Sequence, residues 1–512
     1  MTDIWRTLYF WGLLAYLAIL PVAHTLALRS LLSLLLVAVL IVSVLRKGWR
    51  ESLSWEAWSL PACLPVLLWI AYLCFFPLLA EQAAPAWSNL RGQWGQSILA
   101  WLIGWGGVLL MGRNGPSLLR LALASGFLVL LHLGMSLMAW SGLLGVAVPA
   151  DMPLIKMWHS FLSVVAGTSE EGWRWQPFPW GFRGFDPMHG TLGYTSNQAI
   201  ILLLGCLLFA WRSQLARVTG IAAAAIVLCF FSVVVAYSRG AVLYGLLMAV
   251  LAGLVCRLRL RGPVSEGPST SRPVWRKGQL VLVWAVLPCL LVASGLSLKK
   301  DQRWHLMVDN ARVVFFLVDD PVRFLCEGPD ESMLQGLREE MQDRGPVYVS
   351  DLTSGLYGDG ARVALMRAGL VLVAERPWGL DGSRDSYKQL IETKCGHRPK
   401  MLYAHAHQGW LDTTLALGWV GGGLLGLAFL SLAVFGWRNL RPDSAGPWAM
   451  ALLLLSVYWI TRGFADSVYR EHLLQMQAVL LGYLAARTNL ERQSAAEQHQ
   501  SGAPCGRIKR DT

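Results

Sequence analysis

The sequence predicts an all-α protein that crosses a membrane about twelve times. Hydrophobic residues occupy 55% of the 512 positions and charged residues only 15%, whereas soluble domains carry roughly 25% charged residues. Apolar runs near the ~20 residues that span a bilayer recur along the chain. Because lipid offers the backbone no hydrogen-bond partners, these runs should be helices. They are 7–24, 27–45, 60–79, 96–112, 118–140, 195–211, 218–237, 240–256, 279–297, 410–436, 447–461 and 471–486.

The distribution of lysine and arginine predicts the orientation. With a cytoplasmic N-terminus, the short inner loops hold most of these residues, and the outer turns hold few of them. This pattern predicts that both termini are cytoplasmic and that the first span acts as an uncleaved signal anchor. The net charge of +12 then reflects membrane anchoring rather than a nucleic-acid surface.

Two long segments are expected on the outer, periplasmic face. Residues 141–194 are rich in Trp and Pro, and residues 298–409 form a loop of domain size. The predicted division is nine spans in 1–297, the large periplasmic loop in 298–409, three spans in 410–487 and a disordered cytoplasmic tail in 488–512. The tail is assigned from its polar composition.

Cys326 and Cys395 are the only two cysteines in the large outer segment. An outward-facing domain in an oxidising compartment can hold a disulfide between them, and two idle thiols are the alternative. The chain has no cysteine and histidine spacing typical of a metal site, so no metal is expected.

His405 and His407 precede a predicted span in the stretch AHAHQGW. A neutral imidazole can accept a proton from a hydroxyl near physiological pH. In an extended segment the two side chains would point to the same side, whereas in a helix they would diverge. The pair is therefore a candidate general base at the membrane surface.

Arginines at the outer surface are candidates for phosphate binding. Arg239 lies alone between two apolar spans; it either snorkels to the lipid headgroups or binds phosphate, because a guanidinium matches phosphate oxygens bidentately. Arg462, Asp466 and Arg470 are spaced by four, which predicts a structural ion-pair ladder or one arginine available to a substrate. Arg362 begins a predicted amphipathic helix that Pro377 and Gly379 end.

The segment HAHQGWLDTTLALGWVGGGLLG resembles the C-terminal motif of the O-antigen ligase and polymerase superfamily. His407, Trp410, Leu411, Gly418 and Gly421 fall in register with that motif, and Gln408 stands where the family usually has Asn. The family also has an Arg-Gly at the outer end of a middle span, matched by Arg239-Gly240, and an Arg before a Pro-x-Gly turn, matched by Arg362. The resemblance covers most of the chain by layout and about 200–426 by motif.

The resemblance to the O-antigen ligases implies an inverting, metal-independent membrane glycosyltransferase with a GT-C-like fold and no cofactor. Such an enzyme moves a glycan from undecaprenyl pyrophosphate to a sugar hydroxyl of lipid A–core on the periplasmic side. It implies His407 as the general base and Arg239 and Arg362 as ligands of the donor pyrophosphate. The weaker candidates are His405, Arg183, Arg462 and Arg470.

Three alternatives remain open. An O-antigen polymerase and a protein O-oligosaccharyltransferase share the donor and the histidine with the ligase, and they differ in the acceptor. A secondary transporter with twelve spans belongs to another class. No charged residue lies clearly at the mid-bilayer depth of a predicted span and no inverted repeat is visible, both of which such transporters typically show.

Overall fold

The computed structural model describes residues 2–22, 24–47, 62–144, 154–168, 174–184, 189–209, 215–259, 275–301, 303–340, 343, 345–401 and 403–500. These residues form helices and turns, with no strand among them. The prediction of an all-α chain is confirmed for this part of the protein.

Each of the twelve apolar segments coincides with a helix or a helix pair. The helices before the large outer segment are α1 (Thr2–Ile19), α2 (Leu26–Lys47), α3 (Leu64–Phe75), α4 (Ala83–Asn89), α5 (Gly95–Met111), α6 (Leu118–Ser125), α7 (Phe127–Trp140), α8 (Leu154–Val165), α9 (His189–Leu208), α10 (Leu215–Val235), α11 (Arg239–Arg259), α12 (Trp275–Val281) and α13 (Leu287–Lys300). A π-helical segment, Leu90–Trp94, joins α4 to α5, and another, Leu282–Val286, joins α12 to α13.

The remaining helices form the large outer segment and the C-terminal part. They are α14 (Arg303–Leu317), α15 (Pro321–Glu327), α16 (Glu331–Glu340), α17 (Pro346–Gly355), α18 (Asp359–Glu375), α19 (Ser386–Cys395), α20 (Gly409–Arg438), α21 (Gly446–Gly463) and α22 (Glu471–Gln500). The helix predicted after Arg362 is α18, which ends at Glu375, directly before Pro377 and Gly379.

The helices make this a multi-pass membrane protein. Among the described residues, seven helices are long and apolar enough to cross a membrane, and an eighth span results if α6 and α7, which are bent by 52°, are counted together. Ile4–Ile19 and Leu64–Leu78 are apolar but shorter. Twelve spans therefore stay a prediction.

The described residues form two large hydrophobic cores and a small third cluster, in which Met135 of α7 and Met157 of α8 pack with Phe182. The larger core belongs to the helical bundle, where α9 is fully enclosed by its neighbours. The smaller core belongs to the outer domain, which we define as α14–α19, and centres on the apolar face of α18. Ala406, Leu411 and Leu415 contribute to the outer-domain core, whereas Ala416 and Leu417 belong to the bundle. The boundary between the cores thus falls within α20.

α20 is broken at this boundary. Gly418 has φ 76° and ψ 174°, a conformation that is essentially restricted to glycine. The turn Pro377–Gly379, which follows α18, inserts into the break, so that the amide of Trp419 donates to the carbonyl of Pro377 at 2.9 Å. We call this contact the Gly418 junction. It joins the outer domain to the bundle.

The junction satisfies the carbonyl groups that the break exposes. The amides of Leu380 and Gly382 donate to the carbonyls of Leu415 and Ala416 at 3.0 and 2.9 Å. The hydroxyl of Tyr72, on α3, donates to the carbonyl of Leu417 at 2.6 Å. Because an unpaired backbone group in an apolar environment costs several kcal/mol, these bonds explain how the break is tolerated at the membrane surface.

A disulfide joins Cys326, in α15, to Cys395, at the end of α19, with 5.5 Å between the Cα atoms. Beyond it, the amides of Lys400 and Met401 donate to the carbonyls of Cys326 and Leu325. The disulfide and these two hydrogen bonds attach the segment after α19 to α15. This segment leads into the histidine pair.

The C-terminal residues differ from the expectation of disorder after 488. α22 continues to Gln500, and Thr488 and Asn489 are buried. Arg487 forms an ion pair with Glu491 at 2.8 Å and donates to the carbonyl of Arg113 at 3.1 Å. These contacts hold the helix against the loop after α5, so the prediction was wrong for 488–500; residues 501–512 lie outside the described part.

The Gly418 junction predicts a sharp difference between two glycines of α20. A Cβ atom on Gly418 would lie 2.6 Å from the carbonyl carbon of Trp378. We therefore expect Gly418→Ala to lower the free energy of unfolding by about 1–3 kcal/mol or more, measured by thermal unfolding of the purified protein. Gly423→Ala, where a Cβ atom would meet nothing within 4 Å, is the control. Equal melting temperatures of the two variants would contradict the assigned role of the junction.

Candidate functional site

The histidine pair lies in the loop between α19 and α20, at the end of the bundle that carries the outer domain. The ring centroids of His405 and His407 are 4.2 Å apart, so both side chains point to one side, as an extended segment would place them. The loop is not regular, however, because His407 has φ 52°. A non-glycine residue in this left-handed region is uncommon and costs about 1–2 kcal/mol. The surrounding contacts must hold it there.

Two polar residues hold this loop in place. They are Asp412, in the first turn of α20, and Ser467, in the turn after α21. The backbone amide of Ala406, between the two histidines, donates to Oδ1 of Asp412 at 2.8 Å. The hydroxyl of Ser467 contacts Oδ2 of Asp412 and lies 2.9 Å from Nδ1 of His405. Asp412 and Ser467 are buried, so these bonds are shielded from water and fix the position of the loop.

His405 is held neutral in this environment. Burial, the neighbouring His407 and the guanidinium of Arg470 lower the pKa of His405 to about 3. Its Nδ1 accepts from the backbone amide of His407, which lies 3.3 Å away. The proton of the neutral ring then resides on Nε2. These contacts fit a residue that orients its neighbour.

Asp466 lies against the other histidine. Its Oδ1 is 3.6 Å from Nδ1 of His407, longer than a hydrogen bond but within range of a charge interaction. Its Oδ2 accepts from the hydroxyl of Tyr194 at 2.6 Å and from Nη2 of Arg462 at 3.1 Å. Burial raises the pKa of Asp466, but His407, Arg462 and Tyr194 together hold it well below its ordinary value. Asp466 is therefore a carboxylate facing His407.

Arg462 is buried between two aromatic rings. Its guanidinium carbon is 5.1 Å from the ring centroids of both Tyr194 and Tyr244, a distance typical of cation–π contacts. A Cβ atom at Gly240 would overlap the guanidinium, which explains why glycine follows Arg239 here. Arg462 thus stabilises the Asp466 carboxylate and connects the histidine pair to the start of α11.

Arg239 is the first residue of α11, next to Gly240, and its side chain points toward Asp301. Its Nε is 3.9 Å from Asp301, and its Nη1 donates to the carbonyl of Arg303 at 3.0 Å. Arg303 makes a bidentate ion pair with the same Asp301, in which both hydrogen bonds are 2.8 Å long. We call Arg239, Asp301 and Arg303 the Asp301 cluster. It places two arginines around one buried carboxylate at the base of the outer domain.

The other candidate arginines, Arg362, Arg470 and Arg183, lie in three different parts of the structure. Arg362 is exposed in the first turn of α18, yet its charge acts on His405 and Asp466. Arg470 lies 3.8 Å from Asp385 and also acts on His405. Arg183 lies two residues after Gly181, whose amide donates to the carbonyl of Val235 at the end of α10.

The ladder expected from the spacing of Arg462, Asp466 and Arg470 forms only in part. α21 ends at Gly463, so Asp466 and Arg470 lie in the following turn. Arg462 pairs with Asp466, while Arg470 turns toward Asp385 on the outer domain. Sequence reasoning identified the acidic residue but not its role toward His407, because that contact joins residues 59 positions apart (407 and 466).

Asp412, Ser467 and Tyr194 were not anticipated as parts of the site. Asp412 sits in the motif segment GWLDTT and Ser467 follows Asp466. A buried carboxylate at the start of a span was the one available signal, since charges there are rare unless paired.

The fold and the site together define a multi-pass membrane protein with a polar, histidine-bearing site at one end of its helical bundle. Residues 224–426 match the family model described as O-antigen ligase. The match covers 203 of the 512 residues (224 to 426), so this part of the chain is similar to the O-antigen ligase family. The matched range contains Arg239, Arg362 and both histidines. Comparison with curated proteins gives no match.

The pKa of His405 predicts a loss of stability in acid. An unfolded chain binds a proton at His with a pKa of about 6.5, whereas the folded protein does so at about 3. The unfolded state therefore holds more protons between these values, and the free energy of unfolding falls as the pH drops below 6.5. At about pH 5 the loss from His405 is about 2 kcal/mol.

We expect His405→Asn to remove this part of the acid sensitivity, measured as the shift of the thermal transition between about pH 7.5 and about pH 5. His397→Asn, at an exposed histidine of the outer domain, should keep the shift of the unaltered protein. Equal acid shifts in both variants would show that His405 is not held neutral.

Proposed function

We propose that this protein is an inverting O-antigen ligase. It transfers a glycan from undecaprenyl pyrophosphate to a sugar hydroxyl of lipid A–core at the periplasmic face of the bacterial inner membrane. The observation that carries the proposal is the Asp466 carboxylate beside Nδ1 of His407, within a chain that matches the O-antigen ligase family. Similarity to the family and the membrane-spanning helices support a glycan-lipid substrate.

His407 acts as the general base in this proposal. The Asp466 carboxylate favours a proton on Nδ1, which leaves Nε2 unprotonated and able to accept another. The side chain of His407 is 21% exposed, so the ring is accessible from the outer surface. Asp466 also stabilises the imidazolium that forms, as a carboxylate partner does in hydrolase triads.

The leaving pyrophosphate requires cations near the bilayer surface. Arg239 begins α11, Arg303 begins α14 just after the end of α13, and the charge of Arg362 on α18 acts on His405. Arginine suits this role because its planar guanidinium binds phosphate oxygens in pairs. We assign Arg239 and Arg362 to the donor pyrophosphate.

An apolar groove between α10 and α13 supports the position of the donor. It has a volume of about 400 Å³ and is lined by residues such as Phe230, Phe231 and Leu296. Leu296 lies five residues before Asp301 of the Asp301 cluster. A polyprenyl chain in the groove would thus bring its pyrophosphate to the arginines of the cluster.

The transfer is a single displacement. Nε2 of His407 takes the proton of the acceptor hydroxyl as the acceptor oxygen bonds to the anomeric carbon of the donor. The bond from that carbon to the pyrophosphate oxygen breaks, and its electron pair leaves on the pyrophosphate beside the arginines. Attack from the face opposite the leaving group inverts the anomeric configuration.

Two features support a periplasmic site. The disulfide between Cys326 and Cys395 is a bond typical of oxidising compartments, and it lies in the outer domain that borders the histidines. The excess of lysine and arginine in the opposite loops agrees with cytoplasmic loops on the other side.

The roles of the two histidines predict unequal defects. We expect His407→Ala to lower transfer by about 10²- to 10⁴-fold, the usual contribution of a general base. His405→Ala should cause a smaller loss, because His405 only orients its neighbour. The measurement is a gel of lipopolysaccharide from host cells that carry each variant, with His397→Ala as an exposed-histidine control.

The same gel separates ligase from polymerase. A ligase defect leaves bare lipid A–core while long glycan accumulates on the carrier, whereas a polymerase defect leaves core capped by one repeat unit. An unchanged ladder in the His407→Ala strain would rule out both activities, and an equal defect in the two variants would overturn the assignment of His407 alone.

A further inference from the structure

A second polar cavity lies at the same end of the bundle as the histidines. It has a volume of about 530 Å³ and is bounded by the start of α2, the π-helical segment before α5, residues 383–385 and the start of α22. Cavities of roughly 300–1,000 Å³ are the usual size of ligand sites.

The lining of this cavity suits a hydroxylated ligand. Three glutamine amides, Gln93, Gln96 and Gln475, face it together with Arg29, Arg384 and His472. Amides both donate and accept hydrogen bonds, and guanidinium groups donate them, so the set can match the hydroxyl groups of a sugar. Few side chains here could bind an apolar molecule.

The charges favour an anionic ligand. Arg29 is buried, and its Nε donates to Thr25 at 2.9 Å. The acidic residue of the lining, Asp385, is flanked by Arg384 at 3.7 Å and Arg470 at 3.8 Å. Two arginines thus flank the one carboxylate and Arg29 adds a further positive charge to the lining, so the cavity has a positive surplus.

The cavity adjoins both the lipid and the histidine pair. Below Arg29, α2 exposes Leu31 and Leu34 to the bilayer. On the other side, Arg470 separates the cavity from His405, since it pairs with Asp385 and also lowers the pKa of His405. A ligand held by lipid chains along α2 would therefore have its headgroup next to the site.

We propose that this cavity binds the acceptor, an anionic saccharide headgroup of a membrane glycolipid whose acyl chains lie along α2. The assignment rests on the proposed transferase function, because it requires a separate site for the donor. The donor groove lies on α10 and α13, whereas α2 packs on α1 and α5. The two lipids would then approach the histidine loop from different helices.

The test measures binding without turnover. Purified full-length protein in detergent is titrated with lipid A–core and, separately, with undecaprenyl pyrophosphate, and complexes are followed by native mass spectrometry. Gln475→Trp fills the cavity and Arg29→Gln removes its buried charge. We expect each variant to weaken binding of lipid A–core by about tenfold or more and to change binding of undecaprenyl pyrophosphate by less than about twofold.

Arg91→Gln is the matched control, because Arg91 is exposed on the same π-helical segment outside the cavity. It should bind both lipids as the unaltered protein does. Dephosphorylated lipid A–core should bind more weakly than the intact glycolipid, because the cavity is proposed to bind an anionic headgroup. Should Arg29→Gln fail to fold, Gln475→Trp carries the test.

Unchanged affinity of Gln475→Trp for lipid A–core, or a parallel loss of the carrier lipid, would overturn the acceptor site. So would the absence of glycolipid binding by the unaltered protein. Because binding needs no chemistry, a protein that binds lipid A–core here but transfers no glycan would contradict the proposed function and leave the cavity assignment in place.

Discussion

The insertion of the Pro377–Gly379 turn into the break of α20 is the contact on which the site depends. It fixes the outer domain to the bundle through backbone hydrogen bonds at Leu415, Ala416 and Trp419. The first two turns of α20 consequently pack in the outer-domain core, and the remainder packs in the bundle. The histidine loop directly precedes α20. Because the break in α20 joins the outer domain to the bundle, the position of the loop depends on both.

Two carboxylates, the buried Asp412 and the partly buried Asp466, have different roles at the histidines. Asp412 binds the loop backbone and Ser467, so it fixes geometry. Asp466 faces the ring of His407 and is itself compensated by Arg462 and Tyr194. Removing water from a carboxylate is costly unless partners replace the lost hydration, and the cation–π environment of Arg462 completes that compensation. The site is therefore electrostatically ordered before any substrate arrives.

The sequence predicted the helical class, the positions of the apolar helices and α18, because these follow from local composition and periodicity. It also singled out His405, His407 and Arg239 by position and motif. It did not reveal that Asp466 lies against His407 or that Tyr194 and Arg462 bind Asp466, since these residues come from distant parts of the chain. Nor did it predict that the side chain of Arg239 would turn to Asp301, or that Arg487 would bind the loop after α5 where the tail was expected to begin; both depend on contacts between distant segments.

The disulfide between Cys326 and Cys395 must form before the histidine loop has all of its attachments. His405 lies only ten positions after Cys395, and the segment between them is hydrogen-bonded to α15. Until the two thiols are oxidised, that segment lacks its covalent attachment, and disulfide formation takes seconds to hours. A freshly inserted molecule would thus complete its histidine loop only after the outer domain has reached an oxidising compartment. Formation of the site would then depend on insertion of the chain in the correct orientation across the membrane.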